Sequence, residues 1–303
     1  MLIAAHDAVG GTWMYLGAAV SALTHLRQGM ALYDPQQHRT SAFLYGLDAG
    51  VMCHRRAAWV LWCLGYPDQG LARSQEAVTL AQQLAHPFSL SYTLSVAAML
   101  HQFRREVRAT QDRADAAISL AKERGFPYWI GDGSILRGWA LAQQGQAQEG
   151  IAQIEQGLRA FRATGAEIRR PHFLSLLAEA HGTMEQPEAG LMALTEALTL
   201  VNTTGERWYE SEIYRLKGEL LLQQSSDNQA EAEACFHKAI AIAQDQATKS
   251  WELRTATSLA RLWQSQGKRN EARQVLGDVY HWFTEGFETA DLQEAKALLD
   301  ELA

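Results

Sequence analysis

The chain has 303 residues, of which 47% are hydrophobic and 20% charged, and its formal net charge is −7. A chain this rich in apolar side chains can bury a core, which argues against intrinsic disorder. The acidic balance, without a run of Lys or Arg interleaved with aromatic residues, argues against nucleic acid as a partner.

Residues 1–33 predict two helices of an incomplete first unit, 1–35, that ends at Asp34-Pro35. We expect the second helix, 18–33, to be incompletely covered at Leu23, Leu26 and Met30 because the chain begins inside the pattern. Whether the chain is a fragment of a larger protein stays open. The uncharged stretch 8–26 is long enough to suggest a membrane span, but its glycines and polar residues favour two helices joined by a turn, and we expect no membrane association.

The rest of the chain predicts six helix pairs and a terminal capping helix at 289–302. The pairs occupy residues 41–85, 87–124, 127–164, 169–204, 206–246 and 249–285. The first helix of the first pair is expected to run from Ser41 to Leu64. All six prolines fall at or near predicted helix boundaries, as expected because proline clashes inside a helix. No segment alternates polar and apolar residues with period two, so we expect no sheet.

Small residues recur in three ladders with a step of about 40 residues. The first ladder is Ala58, Ala98, Gly138, Ala178, Gly218 and Ala260. The second is Gly70, Thr110, Gly150, Gly190, Ala232 and Ala272, and the third is Ala77, Ala117, Gly157, Ala197, Ala239 and Val279. Small side chains at a fixed depth let two helices approach closely. Repeats of this length built from helix pairs predict one α-solenoid domain that spans residues 1–303.

With these ladders the chain resembles the tetratricopeptide (TPR) superfamily in its long-helix form. The resemblance implies an all-α, right-handed solenoid of antiparallel helix pairs with about six to seven units. Four C-terminal segments further resemble the TPR region of bacterial adenylate or guanylate cyclase–AAA ATPase–TPR signalling proteins, and they are 205–224, 232–243, 258–276 and 283–302. No GxxxxGK[ST] motif is present, because Gly267-Lys268 is followed by Arg269. Any cyclase or ATPase activity would therefore lie in domains absent from this chain.

The residues that usually carry chemistry do not form a catalytic or metal-binding pattern. The ten histidines are scattered and make no HExxH motif, so we expect no metal and no cofactor. Cys53, Cys63 and Cys235 follow no CxxC spacing and are interpreted as reduced core thiols of a cytoplasmic protein. We therefore predict that the chain is not an enzyme.

Large and charged residues cluster on the side of the first helices that faces the concave groove in TPR superhelices. These predicted groove residues are Arg55, Trp59, Trp62, Met99, Gln102, Trp139, Glu179, Arg215, Glu219 and Arg261. The set is aromatic toward the N-terminal half and charged toward the C-terminal half, as a surface that anchors a peptide would be. The alternative is an ordinary solvated face with two tryptophans packed against a neighbouring unit.

We predict a non-catalytic interaction and regulatory module that binds a peptide or a partner domain in its concave groove. The alternative is a solenoid that senses a small-molecule effector. A peptide binder would have a long open groove, whereas an effector sensor would have a closed polar pocket between units.

Overall fold

The computed structural model describes residues 1–38, 42–43 and 46–303. Within them the chain forms sixteen α-helices, one 3₁₀ turn (Ser226–Asn228) and no β-strand. In chain order the helices are α1 (Leu2–Tyr15), α2 (Ala19–Ala31), α3 (Pro35–His38), α4 (Ala49–Cys63), α5 (Pro67–Leu84), α6 (Pro87–Phe103), α7 (Val107–Arg124), α8 (Pro127–Gln143), α9 (Ala147–Ala163), α10 (Arg170–Thr183), α11 (Pro187–Thr204), α12 (Glu210–Gln224), α13 (Gln229–Asp245), α14 (Lys249–Ser265), α15 (Arg269–Tyr280) and α16 (Ala290–Glu301).

Apart from α3 and the terminal α16, the helices form seven consecutive pairs. The first helices of successive pairs pack against one another and form an inner layer, which runs α1, α4, α6, α8, α10, α12 and α14. The second helices form an outer layer, and the burial differs accordingly: α14 is buried along most of its length, whereas α15 buries one stripe. The predicted all-α solenoid of TPR-like helix pairs is confirmed.

The small-residue ladders are the points where paired helices touch. A Cβ atom on Gly138 of α8 would lie 2.7 Å from the carbonyl oxygen of Gly150 in α9, and one on Gly150 would lie 2.5 Å from the carbonyl oxygen of Gly138. Gly131 and Gly157, each seven residues from these two glycines along the same helices, make the same kind of backbone contact. The two backbones are therefore in direct contact, which only residues without a side chain permit.

Proline and glycine set many of the helix boundaries. Pro67, Pro87, Pro127 and Pro187 each occupy the first residue of a helix, where proline's missing N–H would have no intrahelical partner. At the other end, α7 and α11 finish at glycines in the left-handed conformation, which closes the last turn at little conformational cost.

The prediction of one continuous helix from Ser41 to Leu64 is wrong, because the chain is not helical at residues 46–48. Ser41 itself lies outside the described residues, and α4 begins only at Ala49. Gly46 has a φ of +77°, and the Asp48 carboxylate accepts a hydrogen bond from the Val51 N–H at 2.9 Å. This side-chain cap makes Asp48 the N-cap residue of α4 and starts the helix there.

The inner layer closes on itself, so that the early units contact the late ones. Trp59 of α4 lies edge-on to Trp208, with ring centroids 4.2 Å apart, and Trp62 meets Trp251 of α14 in the same way at 4.6 Å. The Ser250 hydroxyl donates to the Trp62 carbonyl at 2.6 Å. These contacts turn an open superhelix into a closed ring of units.

A loop near the C-terminus strengthens the closure by capping α5. The Glu285 carboxylate accepts hydrogen bonds from the backbone N–H groups of Asp68 and Gln69 at 2.9 and 3.0 Å. In return, the Asp68 carboxylate accepts a bond from the Gly286 N–H at 2.9 Å. Backbone N–H groups in the first turn of α5, which have no partner within the helix, are thus hydrogen-bonded by a residue from near the other end of the chain.

The expected incomplete cover of residues 18–33 is wrong for Leu23 and Leu26, which are buried, and Leu26 packs against Gly10 of α1. Met30 stays half-buried. The turn between α1 and α2 packs on a late unit, because the Arg207 N–H donates to the Tyr15 carbonyl at 2.8 Å. The far end of the solenoid therefore supplies neighbours that an open array would lack at its first unit.

Candidate functional site

A cavity remains in the C-terminal half of the ring, where α8, α10, α12 and α14 face α16 and the turn after α6. Its volume is about 230 Å³, and we call it the central cavity. The lining residues are Gln102, Arg105, Trp139, Gln143, Glu179, Glu212, Arg215, Leu216, Glu219, Arg254, Thr257, Ser258, Arg261, Asp291 and Glu294.

The predicted groove residues divide into two groups. One group lines the central cavity: Gln102, Trp139, Glu179, Arg215, Glu219 and Arg261. The other group is buried among the protein's own side chains, and it consists of Arg55, Trp59, Trp62 and Met99. The open aromatic groove expected in the N-terminal half is therefore filled, because Trp59 and Trp62 bury their surface against Trp208 and Trp251.

The prediction missed five lining residues that carry formal charge: Arg105, Glu212, Arg254, Asp291 and Glu294. Two of them had a detectable signal. Glu212 lies three residues before Arg215, and Arg254 lies seven residues before Arg261, spacings that place each pair on one helix face. Arg105, Asp291 and Glu294 reach the cavity through ring closure, for which no local spacing is a signal.

Eight of the charged lining residues form one chain of alternating sign. In contact order they are Glu219, Arg215, Glu212, Arg254, Asp291, Arg105, Glu294 and Arg261. Four guanidinium groups thus meet four carboxylates. We call this set the charge chain, and its formal charges cancel.

The middle of the charge chain is buried and well hydrogen-bonded. Arg215 donates to both oxygens of Glu212, each at 2.7 Å. Arg254 donates to Asp291 at 2.9 Å and to the Phe103 carbonyl, and its guanidinium lies 5.1 Å from the Trp62 and Trp251 rings. Burial opposes charge on Arg215, but the adjacent Glu212 and Glu219 carboxylates hold its pKa well above its usual range. The guanidinium therefore stays charged.

The two ends of the charge chain reach solvent. The side chain of Glu219 is 42% exposed and that of Arg261 is 50% exposed. Glu219 is held by Arg215 at 2.6 Å and by the Ser258 hydroxyl at 2.8 Å. Arg105 is exposed to a similar extent, at 45%, so Glu219, Arg261 and Arg105 form the exposed mouth of the cavity.

Glu179 lines the cavity but stands outside the charge chain. Its two carboxylate oxygens accept hydrogen bonds from Trp139 Nε1 at 2.9 Å and from Gln143 Nε2 at 3.1 Å. Burial raises its pKa, while the hydrogen bond from Trp139 and the positive charge of Arg215 act in the opposite direction. The donors that hold this carboxylate are neutral.

The central cavity is lined by acidic, arginine, amide and hydroxyl side chains together with Trp139 and Leu216. None of its lining residues is a histidine or a cysteine, and the Ser258 hydroxyl is bonded to Glu219 rather than to a neutral base. Elsewhere, the described part of the chain contains no group of three or more His, Cys, Asp or Glu residues placed to hold a metal ion. None of its helices has both the length and the apolar character of a membrane-spanning segment.

The fold is similar to that of several solved structures. A Rap protein complexed with competence and sporulation factor gives a TM-score of 0.65 at 15% sequence identity, over 99% of this chain and 80% of that one. The Rap conjugation gene regulator of the plasmid pLS20, in complex with the Phr* peptide, gives 0.64 at 10% identity, over 97% and 74%. A tetratricopeptide repeat protein from Parabacteroides merdae ATCC 43184 gives 0.51 at 12% identity, over 99% and 98%. These similarities show a TPR-like helical-repeat fold. No protein-family model and no curated protein sequence matches the chain.

Proposed function

We propose that the chain is a non-catalytic regulatory module that binds a peptide, or an exposed segment of a partner protein, in the central cavity. The observation that carries the proposal is an unfilled polar cavity beside a part of the inner layer that is packed with aromatic rings. A fold that needed only stability would fill this space, because an apolar core costs less than eight buried or half-buried charges. Instead, the side chains of the charge chain line a cavity that is open to solvent.

Two structures of similar fold support a peptide as the ligand, since one is complexed with competence and sporulation factor and the other with the Phr* peptide. The sequence resemblance supports the wider context. In this proposal the module serves a cytoplasmic signalling protein that carries a cyclase or ATPase domain, and it acts on neither nucleic acid nor membranes.

A small-molecule effector is the second candidate, and the shape of the cavity favours it. The site is a compact polar space bounded by several units, rather than the long open groove expected of a binder of extended peptides. A peptide could therefore insert only one or two residues, whereas a small effector would be enclosed whole.

Selection from a random peptide library on the immobilised full chain tests the proposal. Peptides enriched on the wild type should bind Glu219→Lys at least roughly tenfold more weakly, because the substitution reverses a charge at the cavity mouth. Glu155→Lys is the matched control, since Glu155 is also half-exposed and is also paired with an arginine four residues away, but on the outer layer.

Enrichment that does not depend on Glu219 would contradict binding in the cavity. If no peptide is enriched, the same two variants decide on the small-molecule candidate. Fractions of a metabolite extract should then raise the melting temperature of the wild type and of Glu155→Lys, but not that of Glu219→Lys.

A further inference from the structure

We propose that the group taken into the central cavity is a cation, an ammonium or guanidinium group that pairs with Glu179. The inference rests on the proposed function for the location of the site, and it adds the chemical class of the ligand. It follows from how the charges around the cavity are already paired.

The lining residues carry one negative charge more than they carry positive charges. Four arginines face five acidic residues, and the charge chain pairs all four arginines with four of the acids. Glu179 is the acid left over, and the groups that contact its oxygens, Trp139 and Gln143, carry no charge. No lysine or histidine lines the cavity.

An anionic ligand would meet an unfavourable site. Arg105, Arg215 and Arg254 each contact two carboxylates, and Arg261 contacts Glu294. An added anion would have to displace a carboxylate that remains beside it, and the two like charges would repel each other in a partly desolvated space.

A cationic ligand would meet a site that is already arranged for it. Trp139 and Gln143 fix the position of the Glu179 carboxylate, and each oxygen can accept a further bond because a carboxylate offers about four acceptor positions. Hydrogen bonds between a charged donor and a carboxylate are roughly twice as strong as neutral ones. At the exposed side of the cavity Glu219 is offset by Arg261 and Arg105, so the net negative charge of the lining comes from Glu179.

The titration of Glu179 is consistent with this geometry. The charged and polar groups that face it are Trp139 and Gln143 on α8, Glu212 and Arg215 on α12, and Arg254 on α14. Burial among them raises the pKa of Glu179, and a bound cation would lower it again. Cation binding should therefore strengthen as the pH rises through the pKa of Glu179.

The full chain can be titrated with small probes while the indole N–H signal of Trp139 is followed by ¹H–¹⁵N NMR. The signal is assigned with Trp139→Phe, and it reports directly on Glu179 because the indole N–H bonds that carboxylate. Glycinamide, N-acetyl-lysine amide and spermidine present the cation as an α-ammonium group, a side chain and a free polyamine. N-acetyl-norleucine amide is the neutral probe, and N-acetyl-glutamate amide is the anionic one.

At least one cationic probe should shift the signal saturably, and the neutral and anionic probes should not. Glu179→Gln should weaken that binding at least tenfold, a difference of about 1.4 kcal/mol. The glutamine removes the charge and keeps an acceptor for Trp139, while its NH₂ group replaces the oxygen that accepts from Gln143, whose own amide can turn to accept instead. Glu155→Gln on the outer layer is the control that should bind as the wild type does, and circular dichroism checks that both variants are folded.

The inference is overturned if no cationic probe binds, if the neutral probe binds equally well, or if folded Glu179→Gln keeps full affinity. Its failure differs from failure of the proposed function. If selected peptides bind in a Glu219-dependent way but no cationic probe binds, the proposed peptide-binding function stands and the cation proposal is refuted. If cationic probes bind through Glu179 but no peptide is selected, the cation proposal is supported and the ligand of the proposed function is a small effector instead of a peptide.

Discussion

At the scale of single residues, the interior holds two arginines that differ in what compensates their charge. Arg169 is paired with the fully buried Asp132. Arg55 is just as buried, yet it stacks on the Tyr92 ring, 3.3 Å from the ring centroid, and its Nη2 atom has no hydrogen-bond partner among the described residues. Burial accordingly lowers the pKa of Arg55.

This difference predicts opposite responses to the same substitution. Arg169→Met should lower the free energy of unfolding by about 3–5 kcal/mol, because it leaves the Asp132 carboxylate buried and unpaired. Arg55→Met should cost far less or even stabilise, because no carboxylate loses its partner. Urea unfolding of the two variants measures the difference, and equal losses would refute this account of the two sites.

Glu179 predicts a dependence of stability on pH. Its pKa is raised in the folded state from an ordinary value of 4.5, so the folded protein binds this proton more tightly than the unfolded chain does. The resulting stabilisation is complete below about pH 4.5 and is lost as the pH rises through the raised pKa. In Glu179→Gln the group does not titrate, so the stability of the wild type relative to the variant should fall as the pH rises from the ordinary value of 4.5 through the raised pKa. A constant difference across this range would contradict the raised pKa.

The identity of individual site residues could be predicted in part. Arg215, Glu219 and Arg261 were predicted to face the concave groove because they lie three residues before or one residue after the rungs Gly218 and Ala260, and all three line the central cavity. Their exposure could not be predicted, since the same reasoning placed Trp59 in an open groove, where the structure buries it against Trp208. Helix periodicity determines which face a side chain is on, but not what covers that face.

At the scale of helices, the ladders determine how closely paired helices approach. Gly138 is a position where a methyl group would meet the backbone of α9, at 2.7 Å from the Gly150 oxygen and 2.9 Å from the Ile154 nitrogen. Gly182 of α10 is also helical, but its nearest neighbour is the end of the Leu220 side chain at 3.1 Å. Backbone atoms cannot move aside as a leucine methyl group can.

Gly138→Ala should therefore destabilise the protein by about 1–3 kcal/mol through overpacking. Gly182→Ala should be neutral or stabilising by up to roughly 1 kcal/mol, because alanine has the higher helix propensity and the leucine can adjust. Melting temperatures of the two variants check the pair. Equal effects at both positions would mean that the ladder glycines are not close contacts.

At the scale of the whole molecule, the repeat could be predicted and the closure could not. A period of about 40 residues in small side chains such as Ala98, Gly138 and Gly218 is a local regularity, and it predicted the helix pairs. Closure depends on the sum of small rotations between successive units. It brings Trp62 into contact with Trp251, although no regular spacing relates the two residues in the sequence. As a result, the aromatic half of the inner face is buried as core, whereas the charged half lines a cavity.

Closure also changes how the solenoid should unfold. In an open array each unit contacts only its neighbours, so a defect in the last unit loosens that end alone. Here Trp251 of the last helix pair contacts Trp62 of α4 and Phe103 of α6. The stability of the early units should therefore depend on a residue from the late ones.

Trp251→Ala removes a fully buried ring and should destabilise the protein by about 3–5 kcal/mol. Hydrogen exchange should then become faster in α4 and α6 as well as in α12 and α14. Leu276→Ala is the matched control, because Leu276 is equally buried but belongs to a separate core cluster of the last units. It should raise exchange in α14, α15 and α16 and leave α4 and α6 protected. If Trp251→Ala also spares α4 and α6, the ends of the solenoid are not energetically coupled, and the ring contacts contribute little to stability.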